Sequence, residues 1–91
     1  MTVVHVPGGN DVRVAYAIGR KVGPAVVRNR LRRRLRAAVR DIDVASGGLA
    51  TGAYLVTVRP GAARRTYQEL HRDLARATAA ATGATTGGAS R

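Results

Sequence analysis

The segment from Arg28 to Arg40, R-N-R-L-R-R-R-L-R-A-A-V-R, carries seven arginines in thirteen residues. At 100° per residue, Val27, Leu31, Leu35, Ala38 and Ile42 fall on one side of a helix, with Val39 at the edge. Asn29, Arg33, Arg36 and Arg40 fall on the other side; Arg30 and Arg32 flank them, and Arg28 and Arg34 lie nearer the apolar boundary. The periodicity therefore predicts a helix with one apolar stripe and a dense cationic face. Like charges at i,i+4 spacing repel each other and offset helix stability. Asp41 and Asp43 come only at the far end. A fold that keeps such a field calls for a polyanion to neutralise it.

The rest of the chain is too short to dilute this feature. Its 91 residues are enough for one small domain with a modest core. Trp and Phe are absent, so the core must come from Val, Leu, Ile and Ala, with Tyr16, Tyr54 and Tyr67 as the aromatics. The net charge is +11, and all the cations but Lys21 are arginine. Arginine offers a planar fork that matches phosphate, where lysine offers a point charge. A compositional bias would explain arginine over lysine, but not its concentration in one segment. Without cysteine there is neither a disulfide nor a thiolate metal site. No signal-peptide pattern opens the sequence and no apolar run reaches membrane-spanning length, so a cytoplasmic protein is expected.

In chain order, Thr2 to Val6 reads as a β-branched strand and Pro7-Gly8-Gly9-Asn10 as a turn. Val12 to Ile18 alternates, with Val12, Val14, Tyr16 and Ile18 on one face. A hairpin of these two runs is expected. Gly19 to Gly23 is a basic loop, and Pro24 suits the first position of the arginine-rich helix, expected to end near Ile42. Tyr54 to Val58 is a third strand, apolar at nearly every position, which predicts cover on both faces. Thr66 and Glu69 have capping-box spacing, and Tyr67, Leu70, Leu74, Ala77 and Ala81 form the stripe of a second helix. Residues 1–81 make one domain; from Thr82 to Arg91 the composition predicts a disordered tail. The order strand, strand, helix, strand, helix predicts an α/β two-layer sandwich on a small sheet.

Catalysis by the side chains has little support. His5 and His71 lie in different elements without a matched nucleophile or acid, and the five acids are scattered. No catalytic residue is assigned, and metal ligands cannot be named from the spacing. Gly19-x-x-x-Gly23 lacks the further glycine of a dinucleotide motif and the ending of a P-loop. A solvated helix face would mix Glu with Arg, and a membrane-surface helix would want bulky apolar anchors beyond Leu31 and Leu35. Nucleic acid fits best. The arginines suit phosphates, Asn29 suits a base edge or sugar, and Arg20 and Lys21 add charge just before the helix. Tyr16 shares a face with Val12, Val14 and Ile18 and reads first as core.

The run G-R-K-V-G-P-A-V-V-R-N-R-L-R-R-R-L-R, Gly19 to Arg36, resembles the signature of the bacterial ribonuclease P protein subunit, centred on Arg28-Asn29-Arg30. The likeness extends over roughly Val3 to Ala80, through Tyr54 to Pro60 and T-Y-Q-E-L. It implies a ribosomal protein S5 domain 2-like fold with a left-handed βαβ crossover. It further implies a protein that binds ribonuclease P RNA and precursor tRNA and supports removal of the 5′ leader. Cleavage would come from the RNA with magnesium (Mg2+), and neither a membrane nor an obligate protein partner is implied. Carried over, Arg20, Lys21, Arg28, Asn29, Arg30, Arg32, Arg33, Arg36 and Arg40 are RNA contacts. His5 and Tyr16 are candidates for the cleft in which the family's sheet holds the leader. The family begins with an aromatic-bearing helix that completes this cleft, whereas this chain begins at the first strand; a truncated chain or a misplaced start is the expectation. Arg34 stands where an apolar residue is usual, and its stem can pack while its head reaches water. The competing readings are another basic RNA- or ribosome-associated module, and a nonspecific DNA-binding or membrane-active protein.

Overall fold

The computed structural model describes residues 1–89, with side chains through Thr82. Three strands, β1 (Thr2–Pro7), β2 (Val12–Ala17) and β3 (Gly52–Thr57), form one sheet, and two helices, α1 (Ala25–Ala45) and α2 (Tyr67–Ala89), complete the chain. Short 3₁₀ turns at Arg20–Val22 and Pro60–Arg64 lead into the helices. The strand, strand, helix, strand, helix order is the expected one.

The strand pairing differs from the expected hairpin. The sheet order is β1-β3-β2, so β1 and β2 do not pair; β3 lies between them, antiparallel to β1 and parallel to β2. Pro7 and Val12 both align with Gly52. The connection 8–11 therefore bridges two strand spacings, about 9.6 Å, where a hairpin turn bridges one. Gly52 is fixed in this place by space. Its φ is +133°, and a Cβ there would stand 2.3 Å from the Val6 carbonyl oxygen and 2.8 Å from Pro7 Cα.

The expectation that both faces of β3 are covered is also corrected. Gly52, Tyr54 and Val56 are buried while Ala53, Leu55 and Thr57 are exposed. The uniform apolarity of β3 goes with its central position, paired along both edges, rather than with a second covering layer. One face packs against α1 and α2 around Leu31, Leu35, Ala38, Val56, Leu70 and Leu74. Leu35 and Leu74 are completely buried.

α1 starts one residue later than expected, with Pro24 as its cap (φ −65°), and runs past Ile42 to Ala45. Gly47 and Gly48 then end it in positive φ, with the Gly48 N–H donating to the Asp43 carbonyl at 2.8 Å. The capping box at α2 is present as predicted. The Glu69 N–H donates to Thr66 Oγ1 at 3.1 Å, and Glu69 Oε1 accepts from the Thr66 N–H at 2.9 Å. The expected tail from Thr82 overlaps the end of α2, and residues 90 and 91 lie outside the described residues.

Candidate nucleic-acid interface

Most of the predicted apolar stripe of α1 joins the core: Leu31, Leu35 and Ala38 are buried, and Val39 and Ile42 pack against them, while Val27 is half-buried beside Gly23. Burying these residues turns Asn29, Arg30, Arg33, Arg36 and Arg40 to solvent, while Arg28, Arg32 and Arg34 are half-buried. Val26, Asn29, Arg30, Arg32, Arg33 and Arg36 line an open depression of about 550 Å³. The α1 stripe therefore produces a cationic groove along the helix.

The acids leave this groove uncompensated. Among the described residues the ion pairs join Arg65 to Glu69 (3.7 Å) and to Asp73 (2.8 Å), and neither involves an arginine of α1. Asp41 accepts a hydrogen bond from the Tyr67 hydroxyl at 2.6 Å, and Asp43 accepts from the Leu49 N–H at 2.7 Å. The charges of α1 also run against its dipole. Its first turn has no acid, its last turn has no base, and its cap makes no side-chain hydrogen bond.

Two members of the R-N-R motif are already engaged within the fold. Arg28 Nε donates to the Gly23 carbonyl at 3.2 Å, and Arg32 Nη1 donates to Asn29 Oδ1 at 2.9 Å. Asn29 thus keeps its amide donors for a ligand while its oxygen steadies Arg32. Arg20 and Lys21 are exposed on the 3₁₀ turn, which Val22 anchors in the core. The nine predicted RNA-binding residues therefore lie on two consecutive elements, α1 and the turn before it.

His5 and Tyr16 are not brought together. Both lie on the helix-covered face of the sheet, with β3 between them. His5 stacks on Tyr54 with ring centroids 4.3 Å apart, and its Nε2 is 3.0 Å from the Thr51 carbonyl. Tyr16 packs against the core. Burial raises the Tyr16 phenol above its ordinary pKa, an effect partly opposed by the Arg36 guanidinium. The Tyr54 phenol is raised by burial and by the Asp43 carboxylate. That of Tyr67 is raised by its hydrogen bond to Asp41. All three phenols are therefore neutral near pH 7.

Sequence reasoning missed the open face of the sheet. Val4 and Val6 of β1, Leu55 of β3 and Arg13, Ala15 and Ala17 of β2 are exposed there, Val6 to 62%. The period-2 alternation of β2 is a usable signal, but β1 carries valine on both faces and β3 is apolar throughout, so neither marks an open side.

Known proteins share this arrangement. A family model described as Ribonuclease P matches residues 1–82. The ribonuclease P protein component of Thermus scotoductus is 43% identical over 65 residues, 71% of this chain and 37% of that protein. The one from Beutenbergia cavernae is 40% identical over 77 residues, 79% of this chain and 61% of that protein. The chain thus spans less than two thirds of the length of these curated relatives. The structure of the Staphylococcus aureus RNase P protein superposes with a TM-score of 0.70 at 21% identity, covering 82% of this chain and 68% of that one, a likeness of fold. Since the match takes in both the sheet and the arginine-lined helix, the chain belongs to the ribonuclease P protein family.

Proposed function

We propose that this chain serves as the protein subunit of ribonuclease P, an endoribonuclease in tRNA processing. It binds the catalytic RNA through α1 and the preceding turn, and supports removal of the 5′ leader from precursor tRNA. The observation that carries this reading is the groove of arginines on α1, none within ion-pair distance of a carboxylate among the described residues. A phosphate backbone is the ligand that such a surface lacks. Arg30, Arg33, Arg36 and Arg40 approach phosphates directly; Arg28, Asn29, Arg32, Arg20 and Lys21 complete the contact.

Chemistry on this reading belongs to the RNA. Among the described residues no three His, Asp or Glu side chains cluster so as to hold a metal ion. On the same reading magnesium acts within the RNA-protein assembly, where it supplies the charge neutralisation that phosphodiester cleavage requires. The protein lowers the electrostatic cost of bringing two polyanions together. The leader lies on the open sheet face beside Val4, Val6, Leu55 and Arg13, with His5 and Tyr16 shaping the sheet from beneath. The β2–α1–β3 crossover is left-handed, as in the ribosomal protein S5 domain 2-like fold. Residues 1–81 form the RNA-binding unit, and α2 continues beyond it to Ala89. The chain acts in the cytoplasm without a further protein partner; no helix among the described residues is long and apolar enough to cross a membrane.

Reconstitution tests this. Added to a bacterial ribonuclease P RNA at low magnesium, the chain restores precursor tRNA cleavage. With about six phosphates neutralised, the log of RNA affinity falls against log salt with a slope of roughly −4 to −5. A flat salt dependence removes the mechanism, and binding without restored cleavage points to another RNA-associated role.

A further inference from the structure

We infer that Arg28 is a positioning residue: through its bond to the Gly23 carbonyl it locks the 3₁₀ turn onto α1 and so sets where Arg20 and Lys21 meet the RNA. The assignment of Arg20 and Lys21 as contacts rests on the proposed function; the lock itself does not.

Four observations converge on the junction. Arg28 Nε donates to the Gly23 carbonyl at 3.2 Å, in a partly buried setting. Gly23 adopts φ +154°, and a Cβ there would come within 3.0 Å of Val27 Cγ1, so the turn lies against the first turn of α1. Within the 3₁₀ turn, the Val22 N–H donates to the Gly19 carbonyl and the Gly23 N–H to the Arg20 carbonyl, each at 3.1 Å. Val22 is buried in the core. The turn is thus held from below by Val22 and from the side by Arg28, while Arg20 and Lys21 project to solvent.

The chemistry of the side chain suits this double duty. A guanidinium offers Nε and two Nη groups in a fixed plane. With Nε on the carbonyl, the Nη donors remain for a phosphate. A lysine has one nitrogen and cannot serve both ends in the same geometry. Arg30 carries the same charge two residues on and makes no hydrogen bond of this kind among the described residues, which makes it the matched control.

The test compares Arg28→Met with Arg30→Met, each removing one cation and keeping an unbranched stem. In the free protein, amide hydrogen exchange at Val22 and Gly23 speeds up roughly threefold to tenfold in Arg28→Met, the range expected for one net hydrogen bond, and stays at the wild-type level in Arg30→Met. Against ribonuclease P RNA, Arg30→Met flattens the salt slope by about one contact. Arg28→Met flattens it by about three, and adding Arg20→Met and Lys21→Met to it changes little more. Unchanged exchange at Val22 and Gly23 in Arg28→Met overturns the lock. Faster exchange with a slope change equal to that of Arg30→Met overturns the positioning of Arg20 and Lys21. If the wild-type chain fails to bind the RNA, the proposed function falls, and the exchange comparison still decides the lock.

Discussion

Replacing Arg30, Arg33 and Arg36 together with Gln has opposite effects on the free protein and on its complex. All three side chains are exposed, and all three line the α1 groove. Their removal deletes the i,i+4 repulsions Arg30–Arg34, Arg32–Arg36 and Arg36–Arg40, and the i,i+3 repulsions Arg30–Arg33 and Arg33–Arg36. At about 0.2–0.5 kcal/mol each, the relief amounts to roughly 1–2.5 kcal/mol at low salt. Gln is also a comparable helix former, so little is lost in propensity. Binding moves the other way. Each phosphate contact contributes about 0.7–0.9 to the salt slope, so the triple variant's slope is shallower by roughly 2–2.7, and near 0.1 M salt its affinity falls by about two to three orders of magnitude. Urea unfolding at low and high salt measures the first effect, and filter binding across a salt series the second. A triple variant less stable than the parent at low salt would show that these arginines hold the fold together, and the argument for a surface kept for RNA would fail.

Three other perturbations probe the scaffold. Leu35→Ala empties a fully buried site between helix and sheet and costs about 3–5 kcal/mol, seen as a lowered Tm; a loss under 1 kcal/mol would mean that α1 does not seat as described. Gly52→Ala forces a Cβ onto the Val6 carbonyl at a positive φ, so the chain loses its cooperative unfolding transition; a folded variant with parental Tm would refute the β1-β3-β2 order. The Glu69 carboxyl is held below its usual pKa, first by the Thr66 backbone N–H, with Arg65 adding to the effect. A depressed folded-state value means a stabilisation present above the unfolded-state pKa and lost as pH falls through the folded one. Glu69→Gln should therefore flatten the acid limb of stability below about pH 4.5, and an unchanged limb would discount the capping box.

Legibility in the sequence followed the range of the interactions. The stripe of α1 and the box at Thr66 and Glu69 depend on residues three or four apart, and both appear as read. The hairpin failed because pairing partners are chosen over long range. The turn residues Gly8 to Asn10 suit a hairpin, but nothing local says that Gly52 will fit between Pro7 and Val12. The open sheet face was hidden for a related reason. Leu55 and Val56 look alike in sequence, yet one is 43% exposed and the other 1%. The placement of His5 follows from the pairing too, since its ring stacks on Tyr54 of β3, a strand the expected hairpin does not include.

The two helices show where the chain's local rules are kept and where they are broken. They pack together in one layer, and each buries a short apolar stripe: Leu31, Leu35 and Ala38 in α1, Leu70 and Leu74 in α2. α2 starts with a reciprocal cap and an acid in its first turn, and Arg65 pairs with both Glu69 and Asp73. α1 has a proline cap without a side-chain bond, cations in its opening turns, acids near its end and arginines that repel one another. Composition bias cannot produce this contrast, because both helices draw on the same arginine-rich chain. Local inconsistency confined to one element, on a fold otherwise consistent, is the mark of a surface kept for a ligand. The burial of Leu31 and Leu35 supplies in tertiary packing what α1 gives up in local stability, and its opposite face is left without a carboxylate in ion-pair reach among the described residues.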